Sequence, residues 1–322
     1  MKSAIFEYGK QPLAEWIKEN SDCEKMILKG NVYCNLRDDN FTRKIKENVY
    51  QYCWEVNIGW HSYDLLFGFE EIAKDFRPIE FDISEMHLVD AYGNIDDEYL
   101  YEDSYEKQPS QIFKMLSNRK YGTRFIYNDC FLTTPDKKVL VHCDKITSVV
   151  NIPRGIETIG RIAFATIDKV NYEVILPEGI INIEESAFAS SDGLIQINFP
   201  DSLQSLGEYA FWSTELSTVL LPDNIEEIPE GCFQYVYIEK LRLPSNLKHI
   251  RCAAFVGLSF DEVILPKGIE TVESWSLSGH YEKIHIPISI KSLAEDFYYE
   301  DGIDNDYEER KPIIIKYSNV SE

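Results

Sequence analysis

No two of the 16 glycines in this chain stand two residues apart, so a G-x-G-x-x-G turn cannot form, and neither a Walker phosphate loop nor a G-x-S-x-G elbow is present. The usual signatures of nucleotide binding and of serine hydrolase chemistry are therefore missing. Histidine is scarce as well. His61, His87, His142, His249, His280 and His285 include no H-x-x-x-H or H-E-x-x-H pair, the spacing that sets two imidazoles on one helical face for zinc. The seven cysteines, Cys23, Cys34, Cys53, Cys130, Cys143, Cys232 and Cys252, are odd in number and show no C-x-x-C, which suggests neither a disulfide framework nor a zinc ribbon. No apolar run approaches the ~18 residues of a membrane span. The opening Ala4-Ile5-Phe6 is cut at once by Glu7, short of the apolar stretch of a secretory leader. The chain as given is thus expected in the cytoplasm, and at the cell surface or secreted if its reading frame begins upstream.

Positive charge is also in short supply. With 32 Lys+Arg against 55 Asp+Glu the net charge is −23, so nucleic acid and anionic membrane are repelled while a basic protein or a cation is attracted. Residues 1–145 hold 19 bases and 26 acids, leaving 13 and 29 for residues 146–322, so the second part is the more acidic. What the chain does have is apolar material for a core, 44% of its residues, in a length of 322 that exceeds the roughly 100 to 200 of one ordinary domain.

Seven of the 13 prolines, Pro153, Pro177, Pro200, Pro222, Pro244, Pro266 and Pro287, are separated by 24, 23, 22, 22, 22 and 21 residues. Three residues after each stands an aliphatic, Ile156, Ile180, Leu203, Ile225, Leu247, Ile269 and Ile290, and six after comes a second, from Ile159 to Leu293. Eleven after, the first five copies carry Phe164, Phe188, Phe211, Phe233 and Phe255, each preceded by Ala or Cys. Just before each proline the apolar residues alternate as in a short strand, with Val150, Val174, Ile197, Val219, Leu241, Val263 and Ile284 inward. Proline has no N–H for a ladder, so it belongs where pairing stops, and the Gly, Ser or Asn two residues later suits the turn that follows. One such copy cannot bury its apolar set alone. Stacked copies share a continuous core.

The pattern L-x-x-I-x-L-P-x-x-I-x-x-I-x-x-x-A-F, clearest in LIQINFPDSLQSLGEYAF and IEKLRLPSNLKHIRCAAF, resembles the BspA-like, or Treponema pallidum type, leucine-rich repeats. The resemblance covers about residues 121–297. It implies a β-rich solenoid, right-handed and curved, with parallel strands. It also implies a bacterial, non-enzymatic protein that binds or adheres. The expected organisation is an α+β domain over 1–120, a capping hairpin over 121–148, seven repeats over 149–297 forming one sheet of seven strands with one buried phenylalanine column, and an acidic cap over 298–322.

In the first 120 residues, alternation points to strands at 26–36 and 50–60, the latter with Tyr50, Tyr52, Trp54 and Trp60. Pro12 and Pro109 open expected helices at 12–20 and 109–119, and a third is expected near 70–77. The acidic stretch Asp96 to Glu106 is the expected boundary.

Four constellations carry possible chemistry. Cys53 and His61 could supply a thiolate and its base, making the first domain an enzyme for which the solenoid selects substrate. Cys130 with His142 and Cys143 could hold a metal, or simply sit on two strands of a hairpin. Asp301, Asp304, Asp306 and Glu308 offer hard oxygens for calcium but lack the glycine and spaced glutamate of an EF-hand loop. The aromatic set Tyr50 to Trp60 could stack on a sugar or peptide, or pack in a core. No catalytic residue, cofactor or metal is assigned on these grounds.

The expected binding surface is the strand face of the solenoid. Its outward residues are taken as those two before each proline, among them Ile175, Asn198, Leu220, Arg242, Ile264 and His285, and those five before, among them Tyr172 and Ile195. Apolar residues at Tyr172, Ile175, Ile195 and Leu220 mark a protein contact. As outward groups, Asn198 and Arg242 are expected to be replaceable at little cost in stability. The function expected is protein binding, with adhesion at the cell surface as the alternative should the chain be exported.

Overall fold

The computed structural model describes residues 2–7, 19–20, 24–33, 79–89, 111–128, 130–143, 146–165, 170–298 and 312–317. These fall into two compact units, Met1–Lys145 with Arg161–Ala163, and Ile146–Gly160 with Phe164–Glu322.

In the first unit the strands β1 (Ser3–Glu7), β2 (Lys25–Tyr33), β3 (Ile79–Val89), β4 (Arg124–Asn128), β5 (Phe131–Thr133) and β6 (Val139–Cys143) lie side by side in chain order. The pairs β1–β2 and β2–β3 are parallel, and the rest antiparallel. Ser3 lies opposite Lys25, an offset of 22 residues that equals the period of the prolines although no repeat pattern marks it. The strand at Ile79–Val89 is not foreseen by the alternation rule. Its buried residues are Phe81, Ile83 and Met86, because a register shift between Ile27 and Lys29 changes the parity midway. The helix expected at 109–119 is present as α1 (Gln111–Ser117), with Met115 and Leu116 buried. The expected helices at 12–20 and 70–77, the strand at 50–60 and the boundary at 96–106 lie wholly or almost wholly outside the described residues, and so does most of the case for an α+β domain. Among the described residues no helix is long and apolar enough to cross a membrane.

The second unit is a solenoid of parallel strands in which each proline marks one coil, coil 1 at Pro153 to coil 7 at Pro287. Each coil has a strand before the proline and a two-residue strand about five residues after it, such as Asn182–Ile183 and His249–Ile250. The residues three and six after each proline are buried in the first six coils, as the shared core requires. Phe164, Phe188, Phe211, Phe233 and Phe255 are each fully buried, and successive rings stack with centroids 4.9, 5.2, 5.2 and 5.3 Å apart. The expected column is there, and its spacing measures the rise per coil.

The single seven-stranded sheet is not. The strands before the prolines form three separate ladders: Val149–Asn151, Tyr172–Ile175 and Leu194–Ile197; then Thr218–Leu220 and Lys240–Arg242; then Phe255–Ile264 and Leu277–Pro287 with Ile313–Tyr317. Strands of three or four residues offer few rungs, and the strand of coil 3 already shifts register between Leu194 and Gln196, so coil stacking is carried by the core.

Nine residues after the proline, every coil from 1 to 6 adopts a left-handed backbone, at Ile162, Ser186, Tyr209, Gly231, Ala253 and Trp275, with φ between 50° and 57°. Only one of the six is glycine. The others accept a conformation disfavoured for L-residues because each coil must turn there to bring inward the residue two further on, phenylalanine in coils 1 to 5 and Leu277 in coil 6.

Candidate functional site

The residues two before the prolines form one outward row. In register Asn151 lies opposite Ile175, Leu220 opposite Arg242, Ile264 opposite His285, and His285 opposite Ile315. From coil 2 onward the row alternates: Ile175, Asn198, Leu220, Arg242, Ile264, His285, then Ile315. Ile175, Leu220 and Ile264 are 38%, 39% and 61% exposed, high for large aliphatics in an ordered strand.

Three polar members of the row, Asn198, Arg242 and His285, are bonded to neighbouring groups. In each ladder an N–H of a residue before a proline donates to the next coil's row carbonyl, Ile152 to Ile175 at 3.0 Å, Leu221 to Arg242 at 3.1 Å and Leu265 to His285 at 3.0 Å, whereas the Leu176 N–H donates to the Asn198 side chain. The following rung of a parallel ladder would take its donor from the next coil's proline nitrogen, which has no hydrogen. The carbonyl just before the proline is left without that donor, and side chains replace it. Asn198 Nδ2 donates to the Leu176 carbonyl at 2.8 Å, Arg242 Nη1 to the Leu221 carbonyl at 2.6 Å, and Tyr317 Oη to the Leu265 carbonyl at 2.5 Å. His285 Nε2 pairs with the Glu262 carboxylate. Asn198 and Arg242 are therefore not idle surface groups, contrary to the expectation that they could be changed at little cost. The aliphatics Ile175, Leu220 and Ile264 are what the row leaves exposed.

Tyr172 is not on this surface. It is fully buried, since five before the proline has the same parity as three before, and the alternation that turns Val174 inward turns Tyr172 inward with it. Ile195 is half-buried beside the register shift that moves it off the strict alternation.

Beside the row, one residue past each proline, Glu178, Asp201 and Asp223 form an acidic column on coils 2 to 4. The Glu178 carboxylate accepts the N–H groups of Asp201 at 3.3 Å and Ser202 at 3.2 Å in the next coil. Asp223 accepts the Ser245 N–H at 2.9 Å and pairs with Arg242 at 2.8 Å, which together hold its carboxyl below the usual range. Toward the far end, Ile264, Leu265, Pro266, Leu243, His285 and Tyr317 line a shallow groove of about 430 Å³.

The other constellations fare differently. Cys53, His61 and the aromatic set from Tyr50 to Trp60 lie outside the described residues, as do Asp301, Asp304, Asp306 and Glu308. Cys143 is buried opposite Phe131, and His142 Nδ1 lies 2.9 Å from the Lys114 ammonium. Among the described residues no group of three or more His, Cys, Asp or Glu is placed to hold a metal. Lys114, which the sequence does not single out, is 2% exposed and also donates to the Ala163 carbonyl at 3.1 Å, so it ties α1 down through its ammonium.

Comparison with known proteins bears on the repeats. A leucine-rich repeat protein of T. pallidum of known structure is 21% identical over 52% of this chain and 85% of its own, with a TM-score of 0.39. One from Eubacterium ventriosum is 17% identical over 56% and 62%, with a TM-score of 0.38. A leucine rich cell surface protein of Faecalibacterium prausnitzii is 13% identical over 53% and 72%, with a TM-score of 0.31. Comparison with curated proteins gives no match. The family described as the BspA type leucine rich repeat region matches six copies over residues 133–259 and 227–305, more than half of the chain. With its proline period, phenylalanine column and stacked parallel coils, this chain belongs to the BspA type leucine-rich-repeat family.

Proposed function

We propose that this chain is a non-catalytic protein-binding module whose docking face is the outward row of the solenoid. The observation that carries the reading is the row itself: Ile175, Leu220 and Ile264 stay exposed on alternate coils, while Asn198 and Arg242 between them, and His285 beyond Ile264, are bonded to neighbouring side chains or backbone. Apolar groups fixed in a line on a stiff scaffold cost little entropy to dock, and burying each contributes at the scale of roughly 25 cal/mol per Å². Neighbouring coils hold the spacing constant, as the phenylalanine centroids show.

The test is replacement of Ile175, Leu220 and Ile264 together by Ser in the full chain, with affinity measured for the proteins that co-purify with it and are identified by mass spectrometry. A loss of tenfold or more with an unchanged unfolding midpoint supports the reading. Unchanged affinity for every such protein overturns it.

A further inference from the structure

From residue 170 to residue 239 the chain contains no Lys, Arg or His, yet it holds 13 acids, and this stretch is coils 2, 3 and 4 of the solenoid. Three bases of coil 5 reach back to coil 4: Arg242 to Asp223 at 2.8 Å, Lys248 to Glu226 at 2.7 Å and Arg251 to Glu227, with Arg251 Nε 2.9 Å from the carboxylate. Coil 4 is therefore partly neutralised from within. Coils 2 and 3 supply no base of their own, and Glu178, Asp192, Asp201 and Glu208 are exposed there. The row presents Ile175 on coil 2 and Leu220 on coil 4, with Glu178 and Asp201 of the acidic column three residues after Ile175 and Asn198.

Resting on the docking face proposed above, we infer that the partner is a lysine- or arginine-rich protein segment that also carries aliphatic or aromatic side chains, and that it docks over coils 2 to 4. The apolar row gives its side chains a place to be buried. The acids beside the row favour a cationic chain and repel an acidic one, since a surface of one sign raises the local concentration of its opposite and penalises its like. The sign change at Lys240 sets the limit of the site. Beyond it Lys240, Lys267 and Lys283 are interspersed with acids, so the face there selects less sharply.

The experiment is selection of a random peptide library of about 16 residues displayed on phage against the intact chain, followed by anisotropy titration of the recovered peptides. Recovered peptides should be net positive. Their affinity should fall by at least tenfold between about 0.05 and 0.5 M sodium chloride, where the Debye length shortens from roughly 14 to about 4 Å. It should also fall by at least tenfold in Ile175→Ser/Leu220→Ser and in Glu178→Lys/Asp201→Lys. The salt series uses the unaltered chain and decides the electrostatic part even if the charge-reversed variant does not fold.

Peptides that are neutral or acidic, yet lose affinity in Ile175→Ser/Leu220→Ser, would overturn the cationic partner and leave the docking face standing. Cationic peptides indifferent to that variant would overturn the docking face and this inference with it, because the bound site would lie elsewhere. Recovery of no peptide above the unselected library overturns both.

Discussion

The side-chain amide of Asn198 closes on both backbone groups of Leu176, accepting its N–H at 2.7 Å through Oδ1 and donating to its carbonyl at 2.8 Å through Nδ2. This pair of bonds spans one coil, where Pro200 has no hydrogen to give, and it makes an exposed asparagine part of the frame.

Replacing Asn198 by Ala should therefore cost about 1 to 3 kcal/mol, the range for leaving buried backbone groups without partners. Asn198→Asp keeps the acceptor for the Leu176 N–H but loses the donor, so it should fall between the two in urea unfolding. If Asn198→Ala unfolds at the same midpoint as the original chain, water makes these bonds equally well.

Much of the solenoid is legible from the prolines alone, because one constraint, a missing N–H at a fixed place, recurs often enough to set the coil length. The phenylalanine column follows from the same offset. Tyr172 is a parity error: counting five back from Pro177 reaches the inward set that already contains Val174. The division of the strands into three ladders and the bonding of Asn198 and Arg242 depend on which side chain reaches the preceding coil, and a pattern of types does not encode reach. The left-handed turns are hidden for the opposite reason. Glycine would have advertised them, but Ile162, Ser186 and Tyr209 occupy them instead. In the first unit, Ile79–Val89 escapes notice because its register shift breaks the period of two.

Position within the phenylalanine column should matter as well as burial. Phe211 stacks on Phe188 and Phe233, both at 5.2 Å, whereas Phe255 stacks on Phe233 at 5.3 Å and the next coil offers Ser276 and Leu277 at the corresponding place. Truncation of Phe211 to Ala should cost about 3 to 5 kcal/mol. In Leu replacements, which keep most of the volume, Phe211→Leu should cost about 1 to 3 kcal/mol more than Phe255→Leu, since Phe211 has two further ring partners, Phe188 and the edge-on Phe199 at 5.5 Å, and an aromatic pair adds about 0.5 to 1.5 kcal/mol beyond burial. Equal costs in chemical denaturation would show that stacking adds nothing to the column.

Gly231 answers to two constraints at once. Its φ is +57°, and a Cβ placed on it would come within 2.2 Å of the Tyr209 ring. That ring lies across the glycine while its hydroxyl donates to Glu230 at 2.6 Å; burial and the neighbouring carboxylate raise the phenol's pKa. Gly231→Ala should thus destabilise by more than about 1 kcal/mol, from backbone strain and from displacement of the ring. Adding Tyr209→Ala removes the clash but leaves the strain, so the double variant should be more stable than the sum of the two single effects implies. Strict additivity in the four-member cycle would show that the ring moves aside at no cost.

The turn at Asp136 predicts a response to acid. Thr134 Oγ1 donates to Asp136 Oδ1 at 2.6 Å, Lys138 N–H donates to the same oxygen at 3.0 Å, and Lys137 between them is left-handed at φ 59°. The Thr134 hydroxyl first, and the Lys138 N–H second, hold the Asp136 carboxyl below its ordinary value. A carboxyl lowered on folding binds fewer protons in the folded chain than in the unfolded one, so its contribution is complete above the unfolded pKa of about 3.9 and is lost as pH falls through the lower folded value. The group is nearly all in solvent, so screening keeps the effect small. Stability measured by urea titration should therefore decline between about pH 4 and pH 2. Asp136→Asn should be less stable than the original at pH 7, and the gap should shrink at the lower end, because its amide keeps an acceptor that does not titrate. A gap that widens as the pH falls would mean that the carboxyl is raised on folding, and that its bonds to Thr134 and Lys138 are not what fixes the turn.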